Sequence, residues 1–131
     1  MKQNQRCRSK GQSLVETAII LPVVLLLVMA IIDFGLLFNN YILISNAARE
    51  GARKGALGGT NDEIIQTVLN MTPTLKITNM DIRPETPNGK EHGKTIIVSI
   101  RYKSELITPL IDKFFPGGVA ELYSSSTMRI E

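Results

Sequence analysis

Three regimes of apolar spacing follow one another along the chain, and each predicts a different element. From Thr17 to Ile32 (TAIILPVVLLLVMAII) no residue is charged, and the apolar character runs on through Phe34, Leu36, Leu37 and Phe38 with Asp33 as the only ionic interruption. Thr17 to Leu37 is 21 residues. At roughly 1.5 Å per helical residue that is about 31 Å, against a hydrocarbon core of about 30 Å. One membrane-spanning helix is predicted, with Pro22 removing a backbone hydrogen bond inside it and permitting a kink near Thr17 to Pro22.

The second regime, Asn46 to Ala56, repeats small residues every four positions: Ala47, Gly51 and Gly55, and beside them Ala48, Ala52 and Ala56. On a helix these form one broad stripe that lets another element approach closely. Two uses are open to it, packing against a second subunit's helix or packing on the chain's own sheet, and the helix could divide its length between them. Glu50 and Lys54 are spaced for an i,i+4 pair, whereas Arg49 and Arg53 repel and are free to serve a partner or an anionic surface. Gly58-Gly59 supplies the stop.

In the third regime, Thr60-Asn61-Asp62-Glu63 resembles a capped start for a short helix whose apolar face is Ile64, Ile65, Val68 and Leu69, ending before Pro73. Alternation then predicts three strands: Lys76 to Arg83 with Thr78, Met80 and Ile82 on one face; Lys94 to Lys103 with Ile96, Val98, Ile100 and Tyr102 inward; and Val119 to Glu131 with Ala120, Leu122, Ser124, Ser126, Met128 and Ile130 inward. Pro84 to Gly93 reads as a connecting loop. Leu106 to Phe115, broken by Pro109, reads as a short helix or loop whose Phe114 and Phe115 cover the core, closed by Pro116-Gly117-Gly118. The fold class expected is α+β: a long N-terminal helix, its first half in the membrane, packed with a small antiparallel sheet of about three strands.

Charge changes the picture at one end only. Up to Gly55 there are seven basic and three acidic residues, and after it eight and nine, so the net charge of +3 belongs to the N-terminal region. The remainder is near neutral, which argues against nucleic-acid binding. Lys2, Arg6, Arg8 and Lys10 precede the span without an acid among them, and this asymmetry places the N-terminus in the cytoplasm and the C-terminal region outside. An ordinary secretory signal is excluded by length and by the lack of a small-x-small site after the apolar run. Cys7 comes before the run rather than after it, as a lipoprotein signal would need, and is incidental.

No catalytic, metal or cofactor chemistry is expected. The single Cys and single His, Cys7 and His92, stand 85 residues apart, too far for cluster spacing. His92 falls in the polar stretch Pro87 to Gly93, and Ser124-Ser125-Ser126 has no base partner in view.

Glu16 remains to be explained, since a carboxylate within a span costs on the order of 2.5 to 3.5 kcal/mol, less near an interface. Two accounts fit the spacing. The positive end of the helix dipole favours an acid there, or a cut after Gly11 would place a new amine at Gln12, four residues away, for Glu16 of the same or a neighbouring subunit to meet.

Gly11 followed five positions later by Glu16 at the head of an apolar helix resembles the prepilin signal of type IV pilins. Together with Leu21-Pro22, Asp33-Phe34-Gly35, Asn46-Ala47-Ala48-Arg49-Glu50-Gly51-Ala52-Arg53 and the closing Met128-Arg129-Ile130-Glu131, the pattern is similar to the TadE-like pseudopilins of the tight-adherence (Tad, Flp) pilus machinery. It departs from them at Thr17, where many members carry an aromatic or apolar residue. The resemblance implies a bacterial minor pilin-like subunit of the inner membrane. A membrane aspartyl prepilin peptidase would cut it between Gly11 and Gln12, and it would act in assembly or initiation of a fibre. Its partners would be the lipid bilayer, that peptidase and other pilin or pseudopilin subunits, with no nucleic acid and no small-molecule substrate. Glu16 would be the subunit-pairing residue, and Ala47, Ala48, Gly51, Ala52 and Gly55 the helix-packing residues. The organisation expected is a basic leader over 1–11, the transmembrane helix over 12–38, its extracytoplasmic continuation over 39–57 and a small α+β domain over 58–131. The competing reading is an uncleaved single-span anchor, sensor or adhesin.

Overall fold

The computed structural model describes residues 4–87, 89, 91–107 and 116–131. A 53-residue helix, α1 (Asn4–Ala56), runs without interruption through Pro22 and through the whole apolar stretch. It stops in the way the Gly-Gly pair requires. Gly58 takes a left-handed φ of 84°; its N–H donates to the carbonyl of Gly55 and the Gly59 N–H to that of Lys54, both at 3.1 Å. This six-to-one, five-to-two pairing satisfies carbonyls that the helix end would otherwise leave bare.

Helix α2 (Asn61–Met71) begins at Thr60, whose side-chain oxygen accepts from the Glu63 N–H at 3.3 Å. It buries Ile64 and Val68, with Ile65 and Leu69 half-buried beside them. The sheet is antiparallel in the order β1 (Met80–Glu85), β2 (Thr95–Glu105), β3 (Val119–Arg129). Met80 stands opposite Tyr102 in the first pairing, and Thr95 opposite Arg129 and Glu105 opposite Val119 in the second.

Several strand boundaries move, β2 starting at Thr95 rather than Lys94 and β3 ending at Arg129 rather than Glu131. Ile77–Asn79 form a turn of 3-10 helix, so β1 starts at Met80 and Thr78 is exposed rather than on the inner face. Pro84, expected in a loop, lies inside β1, where a residue without an N–H is tolerated because β1 is an edge strand. Ser104 and Glu105 extend β2 beyond Lys103. Phe114 and Phe115, expected over the core, lie outside the described residues.

One apolar cluster joins these elements. Ile44, Ala47, Ala48, Ala52 and Ala56 of α1, Ile64 and Val68 of α2, and Ile96, Val98, Ile100 and Tyr102 of β2 are all buried in it, with Leu75 and Ile130 at its margins. The C-terminal backbone seals the far end: the Glu131 N–H donates to the carbonyl of Ala56 at 3.1 Å, and the Ile130 N–H to that of Lys94 at 2.7 Å. The upper half of α1 is thus a core element of the domain. Its lower half, Leu14 to Ile32, exposes nearly all its apolar side chains.

Candidate assembly interface

The most apolar 18-residue stretch of the helix has a mean hydropathy of 2.8, and only 6% of it is buried within the protein. A core helix of this composition would be covered; this one is long and apolar enough to cross a bilayer once, and bare.

At the foot of the span, Gly11, Gln12 and Glu16 are exposed on consecutive turns. The Gln12 side-chain amide donates to Glu16 Oε1 at 3.4 Å, and Thr17 Oγ1 donates back to the Ser13 carbonyl at 2.9 Å. Gly11 is ordinary helix, and a Cβ there would meet nothing within 4 Å. The chain's own fold therefore makes no demand for glycine at this position.

The small-residue stripe is placed differently. Ala47, Ala48, Gly51, Ala52 and Gly55 face inward on the domain's own second helix and sheet. A Cβ on Gly51 would stand 2.9 Å from Val68 Cγ2 and 3.3 Å from Val98 Cγ1, and one on Gly55 would overlap Ile96 Cδ1 and lie 3.0 Å from Ile64 Cδ1. Of the two uses open to the stripe, intramolecular packing occupies this stretch of α1. The ion pairs beside it also differ from the spacing argument: Glu50 meets Arg53 at 3.9 Å, and Lys54 crosses to Glu63 of α2 at 3.4 Å. A contact between elements replaces the local i,i+4 pair, because α2 brings Glu63 over the last turn of α1.

Asp33, the ionic interruption of the apolar run, has a structural role that its sequence position does not announce. It is 2% exposed, and its Oδ1 accepts the backbone N–H of Ile107, just past the end of β2, at 3.2 Å. A charge inside an apolar run is expected to have a partner, and Asp33 has one in this N–H. Two turns further along α1, Asn40 Nδ2 donates to Ser104 Oγ at 3.2 Å. Beyond them Lys76 pairs with Glu105 at 2.8 Å, and Asn79 donates to the other Glu105 oxygen at 3.4 Å. The Lys76 hydrogen bond, and then that from Asn79, holds the Glu105 carboxyl below its ordinary range, and Glu105 in turn raises Lys76. The domain is therefore fastened to α1 by polar contacts at its lower end and by the apolar core at its upper end.

The outward face of the sheet is charged and mixed in sign. Arg83 pairs with Asp81 at 2.7 Å and Lys103 with Glu121 at 3.8 Å, while Tyr123 donates to Ser99 Oγ at 3.4 Å. Asp81 raises Arg83, and the hydroxyls of Ser99 and Ser125 lower Tyr123. A shallow polar depression lies among Asp81, Arg83, Glu85, Ser99, Arg101 and Tyr123. His92 is exposed in a turn, and Ser124 is buried on the inner face of β3. Among the described residues no cluster of His, Cys, Asp and Glu is arranged to hold a metal.

Residues 11–53 match the model of a protein family described as TadE-like protein, in agreement with the resemblance read from the motifs. The matched stretch starts at Gly11, includes Glu16, the apolar run and Asp33, and ends in the buried part of α1; α2 and the sheet lie outside it. No curated protein and no solved structure matches the chain significantly.

Proposed function

We propose that the chain is a membrane-anchored pseudopilin or minor pilin that takes part in the assembly or initiation of a Tad (Flp) type IV pilus, by helix–helix association with other pilin subunits. The observation that carries this reading is the division of α1. Its lower half is a bare apolar rod headed by Gly11 and Glu16, and its upper half is the core of the domain. A subunit built this way keeps its fold whether the rod lies in lipid or against the rods of neighbours, because among the described residues the buried core begins at Ile44, beyond the rod. With the stripe from Ala47 to Gly55 occupied internally, association between subunits falls to the exposed face of residues 14–32.

Prepilin peptidase cuts between Gly11 and Gln12 in this account. Gly11 has no structural duty in the helix, so the demand for a residue without a side chain comes from the peptidase. The cut frees an amine at Gln12, beside the carboxylate of Glu16, and a neighbouring subunit's Glu16 meets that amine in a low-dielectric setting. The basic residues before the span hold the N-terminus inside, so a reporter active only outside the cytoplasm and fused after Glu131 is active.

Glu16→Gln tests the pairing. It keeps size and hydrogen bonding but removes the charge, far from the core, so the amount of mature membrane-held protein stays normal while cross-linking to other pilin subunits falls and pili are few or absent. Full piliation with undiminished cross-linking would reduce Glu16 to a helix-start residue and remove the charge pairing from the account.

A further inference from the structure

We propose that the chain just past β2, at Leu106 and Ile107, is a second membrane contact: it rests at the outer lipid boundary beside α1 and holds the domain directly on the bilayer. This rests on the membrane-span reading of α1 given above.

The level of this segment along α1 is fixed by a hydrogen bond. The Ile107 N–H donates to Asp33 Oδ1 at 3.2 Å, and the Leu106 N–H to the Gly118 carbonyl at 3.2 Å, so both arms leading from β2 and into β3 come down to the level of residue 33. On the side of α1 that the domain leaves open, the apolar surface does not stop at that level. Phe34 and Phe38 remain exposed above it, and the first exposed amide side chain is Asn39. Six helical residues separate Asp33 from Asn39, a rise of roughly 9 Å. A bilayer whose surface follows the apolar limit of α1 therefore reaches above the level at which Ile107 is held.

The side chains at this end of the domain are graded to suit such a surface. Ile107, held at the level of Asp33, is 69% exposed and apolar. The exposed Lys76–Glu105 pair lies higher, beside the part-buried Asn40–Ser104 contact, where headgroups and water would meet it. Asp33 itself is 2% exposed, so its carboxylate is shielded from acyl chains, and its hydrogen bond satisfies an N–H that lipid could not. At the level of residue 33 the side chains of Ile31, Ile32 and Phe34 on α1 are exposed and apolar as Ile107 is, and lipid is the occupant that the span already requires.

The test uses the full chain with Cys7→Ser, reconstituted alone in phosphatidylethanolamine–phosphatidylglycerol vesicles. A nitroxide is attached in turn at Ile107→Cys, at Ile31→Cys in the span and at Ser125→Cys on the outward sheet face. All three side chains are exposed, so the label leaves the core intact. Collision with oxygen, which concentrates in lipid, is compared with collision with a water-soluble nickel chelate. At Ile107 the oxygen-to-nickel ratio should approach that at Ile31 and exceed that at Ser125 several-fold. A ratio at Ile107 equal to that at Ser125, with Ile31 lipid-like, overturns the contact while leaving the span standing. Slow collision with both reagents at Ile107 overturns it too, by showing that protein covers the site. A water-like ratio at Ile31 would instead remove the span, and the contact with it.

Discussion

Adding a single methyl group at Gly51 separates the two uses of the small-residue stripe. In Gly51→Ala the new Cβ would stand 2.9 Å from Val68 Cγ2, 3.3 Å from Val98 Cγ1 and 3.5 Å from Ile64 Cγ2. Carbon pairs prefer separations of about 3.5–4.0 Å, so at least one neighbour must retreat by about half an ångström or more. Val68 and Val98 are both fully buried and, being β-branched, have little rotamer freedom with which to yield. Overpacking of this kind costs roughly 1–3 kcal/mol, and replacing a mid-helix glycine by alanine returns roughly 0.5–1 kcal/mol. The net expectation is a loss of about 0–2.5 kcal/mol, or several degrees in Tm at mid-range for a domain of this size. Gly55→Ala belongs at the upper end, since its Cβ would overlap Ile96 Cδ1. Gly35→Ala is the control: nothing lies within 4 Å of its Cβ, so only the helical gain remains and Tm holds or rises. Thermal melts in detergent micelles, followed by the near-ultraviolet dichroism of buried Tyr102, read all three. If Gly51→Ala and Gly55→Ala melt with Gly35→Ala, the stripe is not sealed by the domain's own valines and isoleucines. Its role would then pass back to contacts between subunits.

Two further outcomes follow from the lower, polar end of the domain. Asp33→Leu leaves the Ile107 N–H without its acceptor and should cost about 1–3 kcal/mol, with faster hydrogen exchange at 104–107, whereas Asp33→Asn keeps an acceptor oxygen and should hold most of the protection; equal protection in both variants would show that the contact does not fasten the domain. At the Lys76–Glu105 pair the Glu105 pKa is lowered, so its contribution is present above the ordinary carboxylate value and is lost as pH falls through the folded value. Lys76 is raised, so its contribution is present below its ordinary value and is lost as pH rises through the folded value. The pair is exposed, so Glu105→Gln and high salt should each flatten both limbs of the pH dependence of Tm slightly, and a variant with limbs as steep as the wild type would assign them to other groups.

Periodicity made much of this architecture legible. The inward positions of β2 and β3 alternate as written in the sequence, and the Thr60 cap and the Gly58-Gly59 stop are local chemistry that needs no tertiary information. The start of β1 was not legible, because Lys76 to Asn79 alternates well enough for a strand but is turned by a 3-10 helix before the sheet begins. The partner of Lys54 was hidden for a similar reason: sequence spacing offers Glu50, and only the return of α2 presents Glu63. At the candidate interface, Gly11 and Glu16 stand out because they border a composition change. Asp33 gave the same signal, an acid among apolar residues, yet its acceptor role depends on a backbone N–H 74 positions away that no motif announces.

Processing separates a pilin-like subunit from an uncut anchor, and the mass of the mature N-terminus, measured on protein extracted from the membrane of cells that carry the pilus machinery, reads it. A chain beginning at Gln12 is expected, together with accumulation of the full-length form in Gly11→Val, where the bulkier residue blocks the peptidase. A membrane-held chain still beginning at Met1 in the wild type would contradict processing, and would leave an uncut single-span anchor carrying the same domain.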